Sequence, residues 1–259
     1  GGQAPVVPQT WENIPVYFFA TAGMRLLTEQ KQSRYYEAVR EWFEGKPWYL
    51  KDARTITGSE EGVFAWLATR EYLSAQGLTI PTYLSVMDMG GASVQVVTAV
   101  GDTSNLTTNS SDFVEVNVDG RKQLLFVHSF LGLGQELISQ QLLDEPSCFS
   151  KGYILPNGVI AEGDAHLCSD KALKLINGVH DVAHIVRPVL NQDEAQRNWY
   201  VLGGLSYLAH SAPFNSGLGA FDNAWLMTQA QREFCSQPWG DVLERYSDQY
   251  ALSRVCLMA

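Results

Sequence analysis

Residues 83–88 read Tyr-Leu-Ser-Val-Met-Asp, residues 89–93 read Met-Gly-Gly-Ala-Ser, and an apolar run follows over residues 94–100. Two strand-like segments joined by so few small residues leave one local solution, a tight return with a carboxylate, Asp88, near its turn. Gly90 and Gly91 allow the backbone to turn sharply and to approach a ligand closely. Successive N–H groups of Gly90, Gly91 and Ala92 can form an anion-binding nest, and Asp88 beside them can hold a divalent ion directly or through water. Ser93 and Gln95 alternate along the outgoing strand, so both side chains point to one side. The bland alternative is a type I′ or II′ hairpin with Gly-Gly at its tip. Both readings stand on these residues alone.

The surrounding pattern is α/β. A short apolar, aromatic strand is expected over residues 14–21, a turn into helix over 22–27, and helix over 28–43, stopped by Gly45 and Pro47. A strand at 53–57 leads into a helix from Ser59 to about residue 75. Ser59 is the expected N-cap, and Glu60 and Glu61 suit a helix dipole. Residues 77–81 are the best linker, dividing the chain into units 1–80 and 81–259. Further strands are expected at 113–118, 124–129 and 200–204, and helices at 134–143, 173–190, from Ser206, at 225–234 and at 242–246. That order of strands and helices argues for a mixed sheet covered by helices.

Of 259 residues, 18 are basic and 28 acidic, a net charge of −10, and no basic stripe suggests a nucleic-acid partner. The longest apolar runs fall far short of the roughly 20 residues of a membrane span. The four cysteines, Cys148, Cys168, Cys235 and Cys256, include no C-x-x-C. They allow two local bridges among three possible pairings, or four free buried thiols.

Other segments could carry chemistry. Glu61, at a helix start between Gly58 and Gly62, could be a general base if it faces a cleft, or an ordinary solvated carboxylate. Ala20-Thr21-Ala22-Gly23 is a strand-to-helix turn of the kind that binds anions, or plain packing. Gly203-Gly204 precede a helix where a nucleoside could dock, with Tyr207 next to them as a stacking side chain or a core residue. His180 and His184 lie at i, i+4 spacing, but Asp181 stands where a zincin needs Glu. P-loop and nucleophile-elbow patterns are absent from the sequence.

Three stretches together carry a resemblance. Residues 20–27 (ATAGMRLL), 57–68 (TGSEEGVFAWLA) and 87–95 (MDMGGASVQ) resemble the second, third and fourth apyrase-conserved regions, in order. The chain is thus similar to the nucleoside triphosphate diphosphohydrolases, or apyrases, over about residues 14–256. Residues 128–134 and 203–206 also resemble the bacterial members.

The resemblance implies an actin/Hsp70-like (ribonuclease H-like) fold of two lobes with a nucleotide cleft between them, the first lobe incomplete. It implies hydrolysis of the terminal phosphates of nucleoside tri- and diphosphates with Ca2+ or Mg2+, by in-line attack of water. Carried onto this sequence, Glu61 is the general base, and Ser93 and Gln95 position the water. Gly90, Gly91 and Ala92 cradle phosphate, and Asp88 holds the metal through its hydration shell with Thr21 nearby. Tyr207 stacks on the base, with Tyr250 as a second stacking residue. The family's local pairing of cysteines implies Cys148–Cys168 and Cys235–Cys256, and hence a secreted or periplasmic protein. The family's first and fifth motifs do not occur. The chain therefore reads as a segment of a longer enzyme, nearly inactive alone, with the 15–21 strand short of sheet neighbours. Arg70 stands where the third motif usually has Asn. Rival readings are a non-catalytic nucleotide-binding module and a polyphosphate or guanosine-pentaphosphate phosphatase of the same fold.

Overall fold

The computed structural model describes residues 14–101, 110–190, 197–211, 214, 222–247 and 252–258. The described chain begins with β1 (Pro15–Ala20), α1 (Ala22–Arg25), α2 (Glu29–Phe43), β2 (Tyr49–Thr55) and α3 (Gly58–Ala75). β3 (Tyr83–Met89), β4 (Ser93–Val100), β5 (Phe113–Val118), β6 (Arg121–Leu131) and α4 (Gln135–Gln141) follow. α5 (Ala165–His180), α6 (Val182–Leu190), β7 (Arg197–Gly203), α7 (Gly204–His210), α8 (Asn223–Ala230), α9 (Trp239–Arg245) and α10 (Val255–Met258) complete it.

β3 to β7 form a five-stranded sheet in the order β5-β6-β4-β3-β7, antiparallel except for the parallel β3–β7 pair. The central strand β4 is buried along its whole length, which explains its nearly unbroken apolar run. Its side chains still alternate. Val97 and Ala99 join Leu84, Val86, Leu125 and Val127 under α3, whose Trp66 and Leu73 complete that core. Val94, Val96 and Val100 join Phe126 and Phe130 on the opposite face, under Val186 and Val189 of α6. Helices on both faces of a mixed sheet give the expected α/β architecture. α3 lies ahead of residues 77–81 in sequence yet supplies the lid of the β3–β4–β6 core.

β1 does have a sheet neighbour. It pairs in parallel with β2, from Pro15 opposite Tyr49 to Ala20 opposite Thr55, and Tyr36 of α2 is buried with them. The continuous helix expected over 173–190 is instead two helices. Asp181 takes a left-handed conformation (φ 51°) and ends α5, so His180 and His184 share no helix. The C-terminal helices α8 to α10 pack around Phe234, Ala230 and Val242. Disulfide Cys235–Cys256 closes that region, and Cys148–Cys168 ties the turn at 146–148 to α5, the two local pairings. Among the described residues no helix is long and apolar enough to cross a membrane.

Candidate active site

The helix end that carries Glu61 is fixed by its cap. The N-cap of α3 is Thr57, not Ser59. Thr57 is extended (φ −69°, ψ 161°) and its hydroxyl accepts from Glu60 N at 3.1 Å, while Glu60 Oε2 accepts from Thr57 N at 2.8 Å. This is a reciprocal capping box, and it leaves Ser59 already inside the helix. Glu60 then turns to Arg54, whose two terminal nitrogens donate to it at 2.7 and 3.0 Å. Those bonds hold its carboxyl down at about 2.

Glu61 turns the other way, onto the sheet. Gly58 and Gly62 lie one helical turn apart and both press against strands. A Cβ on Gly62 would stand 2.8 Å from Val127 and 2.9 Å from Val97, and one on Gly58 would overlap Ser129. Without side chains at these two positions the start of α3 settles directly on β4 and β6. There the register supplies a polar row. Asp88 stands opposite Gln95, and Gln95 opposite Ser129, so the three side chains share one face above the apolar Val86–Val97–Val127 row.

The result is one connected network. Gln95 Nε2 donates within reach of Ser93 Oγ (2.6 Å), Glu61 Oε2 (3.0 Å) and Ser129 Oγ (3.0 Å). Arg25, from the end of α1, ion-pairs with the same Glu61 Oε2 and donates to Ser93 Oγ at 3.3 Å. Ser93 and Gln95 are buried, and Gln95 Oε1 is a buried acceptor to which no described group donates. Burial pushes the Glu61 carboxyl above its ordinary range. The Arg25 cation opposes that push, and the Asp88 charge adds to it. Burial also pushes Asp88 up.

The turn between β3 and β4 is not the type I′ or II′ hairpin of the bland alternative. Neither Gly90 nor Gly91 has a positive φ, which those turns require. Its carbonyls are all engaged by the segment leading into α4. Gly132 N donates to Ala92 O, Gln135 N to Gly90 O and Glu136 N to Gly91 O, at 2.8–2.9 Å. Gly134 lies so close to the backbone of residues 91–93 that a Cβ there would overlap it. Gly90 N–H closes the turn onto Ser93 O at 3.0 Å. That leaves Gly91 and Ala92 as the loop N–H groups with no backbone acceptor among the described residues. A Cβ on Gly90 or Gly91 would meet nothing nearer than 3.5 Å, so the glycines keep space open here.

Beside the loop lies a cavity of about 450 Å³, lined by residues that include Gly90, Gln135, Gly204, Tyr207, Arg254 and Met258. Tyr207 is half exposed on α7. Arg254 Nη1 donates to Glu136 Oε2 at 2.9 Å across the lining. Tyr250 lies outside the described residues. Thr21 is exposed at the start of α1, where its hydroxyl makes no capping bond and its carbonyl accepts from Met24 and Arg25. The fold therefore joins Glu61 and Ser93 through Gln95 and Arg25, sets Asp88 beside Gln95, and leaves Thr21 linked to them through α1.

Three site residues carry no role in the motif reading: Arg25, Ser129 and Arg254. Register could have found Ser129, since it pairs with Gln95. The other two converge only through tertiary packing. For a divalent ion, the described residues hold no group of three or more His, Cys, Asp or Glu ligands. The donor set still fits a hard ion of the Mg2+ or Ca2+ type. Asp88 is a half-buried carboxylate with no salt-bridge partner among the described residues, and such ions often take one carboxylate with waters and substrate phosphate as their remaining ligands.

Several known proteins are similar to this chain. Human (Homo sapiens) ectonucleoside triphosphate diphosphohydrolase 3 is 26% identical over 295 residues, covering 92% of this chain and 54% of that protein. Chicken (Gallus gallus) ectonucleoside triphosphate diphosphohydrolase 5 is 34% identical over 134 residues, 50% of this chain and 31% of its own length. Apyrase 1 of Arabidopsis thaliana is 30% identical over 165 residues, 58% of this chain and 35% of its own. The chain thus spans about half the length of the first of these relatives. Among solved structures, the Aquifex aeolicus member of the Ppx/GppA family superposes with a TM-score of 0.50 at 14% identity, covering 93% of this chain and 62% of that one. That superposition shows a fold shared with the Ppx/GppA family member. The GDA1/CD39 (nucleoside phosphatase) family model matches residues 3–171, more than half of the sequence, and the chain belongs to that family.

Proposed function

We propose that this site hydrolyses phosphoanhydrides, with Glu61 as general base for an attacking water. The observation that carries the reading is the hydrogen bond of Gln95 to both Glu61 and Ser93, beside a loop with two N–H groups that have no backbone acceptor among the described residues. Phosphoryl transfer asks little covalent chemistry of a protein. It needs a positioned water, donors for the phosphate oxygens and charge stabilisation. Gln95 Oε1 is the buried acceptor that a water proton would satisfy, and Ser93 Oγ lies next to it. Gly91 and Ala92 N–H would hold the terminal phosphate, with Gly90 shaping the turn. Asp88 would hold Ca2+ or Mg2+ through its hydration shell, with Thr21 nearby. When bound, the ion neutralises charge on the phosphate oxygens.

Nucleoside tri- and diphosphates are the proposed substrates. The family match supports them, as do the names of the relatives and the cavity beside the loop, where Tyr207 offers a stacking ring. Arg254 lines the same cavity and is proposed as a further contact, beside Tyr250 as the proposed second stacking residue. The nucleotide would sit in a cleft between two lobes, of which residues 1–80 form part of the first and 81–259 the second. Bacterial-type membership rests on residues 128–134 and 203–206. Two disulfides support an oxidising, secreted or periplasmic setting.

A second reading is a polyphosphate or guanosine-pentaphosphate phosphatase. The fold shared with the Ppx/GppA family supports it. Phosphate release from ATP, ADP and polyphosphate by the full-length protein, with and without EDTA, separates the two. The nucleotide reading expects EDTA-sensitive release from ATP and ADP, and a higher nucleotide KM in Tyr207→Ala. Turnover of polyphosphate alone would replace it with the second reading. Nucleotide binding without release from any of the three would make the site a binding module.

A further inference from the structure

We propose that Arg25 is a positioning residue that anchors one oxygen of Glu61 and so assigns the other, Oε1, as the atom that takes the proton from water. The inference rests on the hydrolase reading above and deepens it to a single atom.

Arg25 Nη2 ion-pairs with Glu61 Oε2, and Gln95 Nε2 donates to that same oxygen at 3.0 Å. No described residue donates to Oε1. A carboxylate held this way cannot rotate without breaking both bonds, so its reactive lone pairs keep one direction. Arg25 Nη2 also donates to Ser93 Oγ at 3.3 Å, which ties the base and the hydroxyl to one cation. Both charged side chains are well covered, at 17% and 14% exposure. An independent observation concerns Gly58. A Cβ there would stand 2.7 Å from Arg25 Nη1, so the missing side chain makes room for the guanidinium as well as for Ser129. The guanidinium occupies space that α3 leaves open at the one turn that carries the base.

The charged groups facing Glu61 are Arg25 from α1 and Asp88 from β3. β4 and β6 contribute only the neutral Ser93, Gln95 and Ser129. Arg25 is thus the one described cation facing this part-buried carboxylate, and it favours the ionised form. In the step itself, the water oxygen bonds phosphorus as the bridging P–O bond breaks. The water proton moves to Glu61 Oε1, and the departing group keeps the bonding electron pair.

The test uses Arg25→Met and Arg25→Lys in the full-length enzyme, with ATP turnover across pH and a melting curve for each. Arg25→Met should lose about 100-fold in kcat with KM within about threefold, as expected for a misplaced reacting group. Removing the cation raises the Glu61 pKa, so the acid limb of kcat should move to higher pH. Arg25→Lys should recover roughly a tenth of wild-type kcat, because the charge returns but not the fork that reaches Ser93. An Arg25→Met enzyme with kcat within about threefold of wild type, an unmoved acid limb, or a loss confined to KM would overturn the proposal. If Arg25→Met does not fold, Arg25→Lys decides it by the same kcat and acid-limb readouts. A wild-type enzyme that hydrolyses no phosphoanhydride overturns the hydrolase reading and this inference with it. An active wild type with an indifferent Arg25→Met overturns the inference alone.

Discussion

Glu61 and Glu60 are neighbours with opposite fates. Glu60 faces Arg54 at the surface and is held at about 2, whereas Glu61 is pushed up by burial with Arg25 opposing the push. A base must be ionised, so the acid limb of kcat/KM should lie above the ordinary glutamate range of about 4.3. A pH–rate profile on the full-length protein checks this, and a limb at or below that range would contradict it. Gly134 makes a second prediction. A Cβ there would overlap the backbone of residues 91–93, so Gly134→Ala should displace the phosphate loop and cut turnover by tenfold or more. The pairing of Asp88 with small residues, and the shared side of Ser93 and Gln95, were legible because strand alternation is local. Arg25 and Gly134 were not, since each matters only for what it meets across the fold.

At the scale of elements, α3 delivers the base because its cap and its glycines agree. Thr57→Ala removes the hydroxyl that accepts from Glu60 N, and should cost about 1 kcal/mol of stability. Denaturant unfolding of the variant measures that. Glu60 adds a pH dependence with a definite sign. Its folded-state carboxyl is depressed to about 2, so its contribution is present above about 4.5 and is lost as pH falls from there toward 2. The Glu60 and Arg54 side chains are 35% and 41% exposed, so salt should weaken the effect. Sequence periodicity located nearly every strand, including β5 with its observed ends. It misplaced the α3 cap by two residues, because Ser and Thr are both good caps and only backbone conformation decides between them. It also ran α5 into α6, because the break is a single left-handed Asp181 with no glycine or proline at that position to announce it.

In the whole molecule, two short-range disulfides with sequence separations of 20 and 21 tie down the segment before α5 and the C-terminal helices, respectively. Each should contribute about 3 kcal/mol in the chain-entropy account. Cys235–Cys256 also anchors α10, whose Val255 and Met258 line the cavity together with the preceding Arg254. Reduction should therefore lower the melting temperature and raise the nucleotide KM more than it lowers kcat. Equal melting curves with and without reductant would contradict this. The pairings were open on spacing alone, and the family resemblance narrowed them. Gly90, Gly203, Gly204 and Tyr207 of the cavity were legible as ligand-facing candidates, but Gln135, Arg254 and Met258 were not, since they reach it only through the packing of α4 and the C-terminal segment.

The central claim is that a buried Glu61, held by Arg25 and Gln95, activates the water. The most direct measurement is the rate of phosphate release from ATP by Glu61→Gln, against wild type, in the full-length enzyme. A loss of about 10²–10⁴-fold with nucleotide binding retained is the result this account predicts. A rate within about threefold of wild type would contradict it and move the base elsewhere.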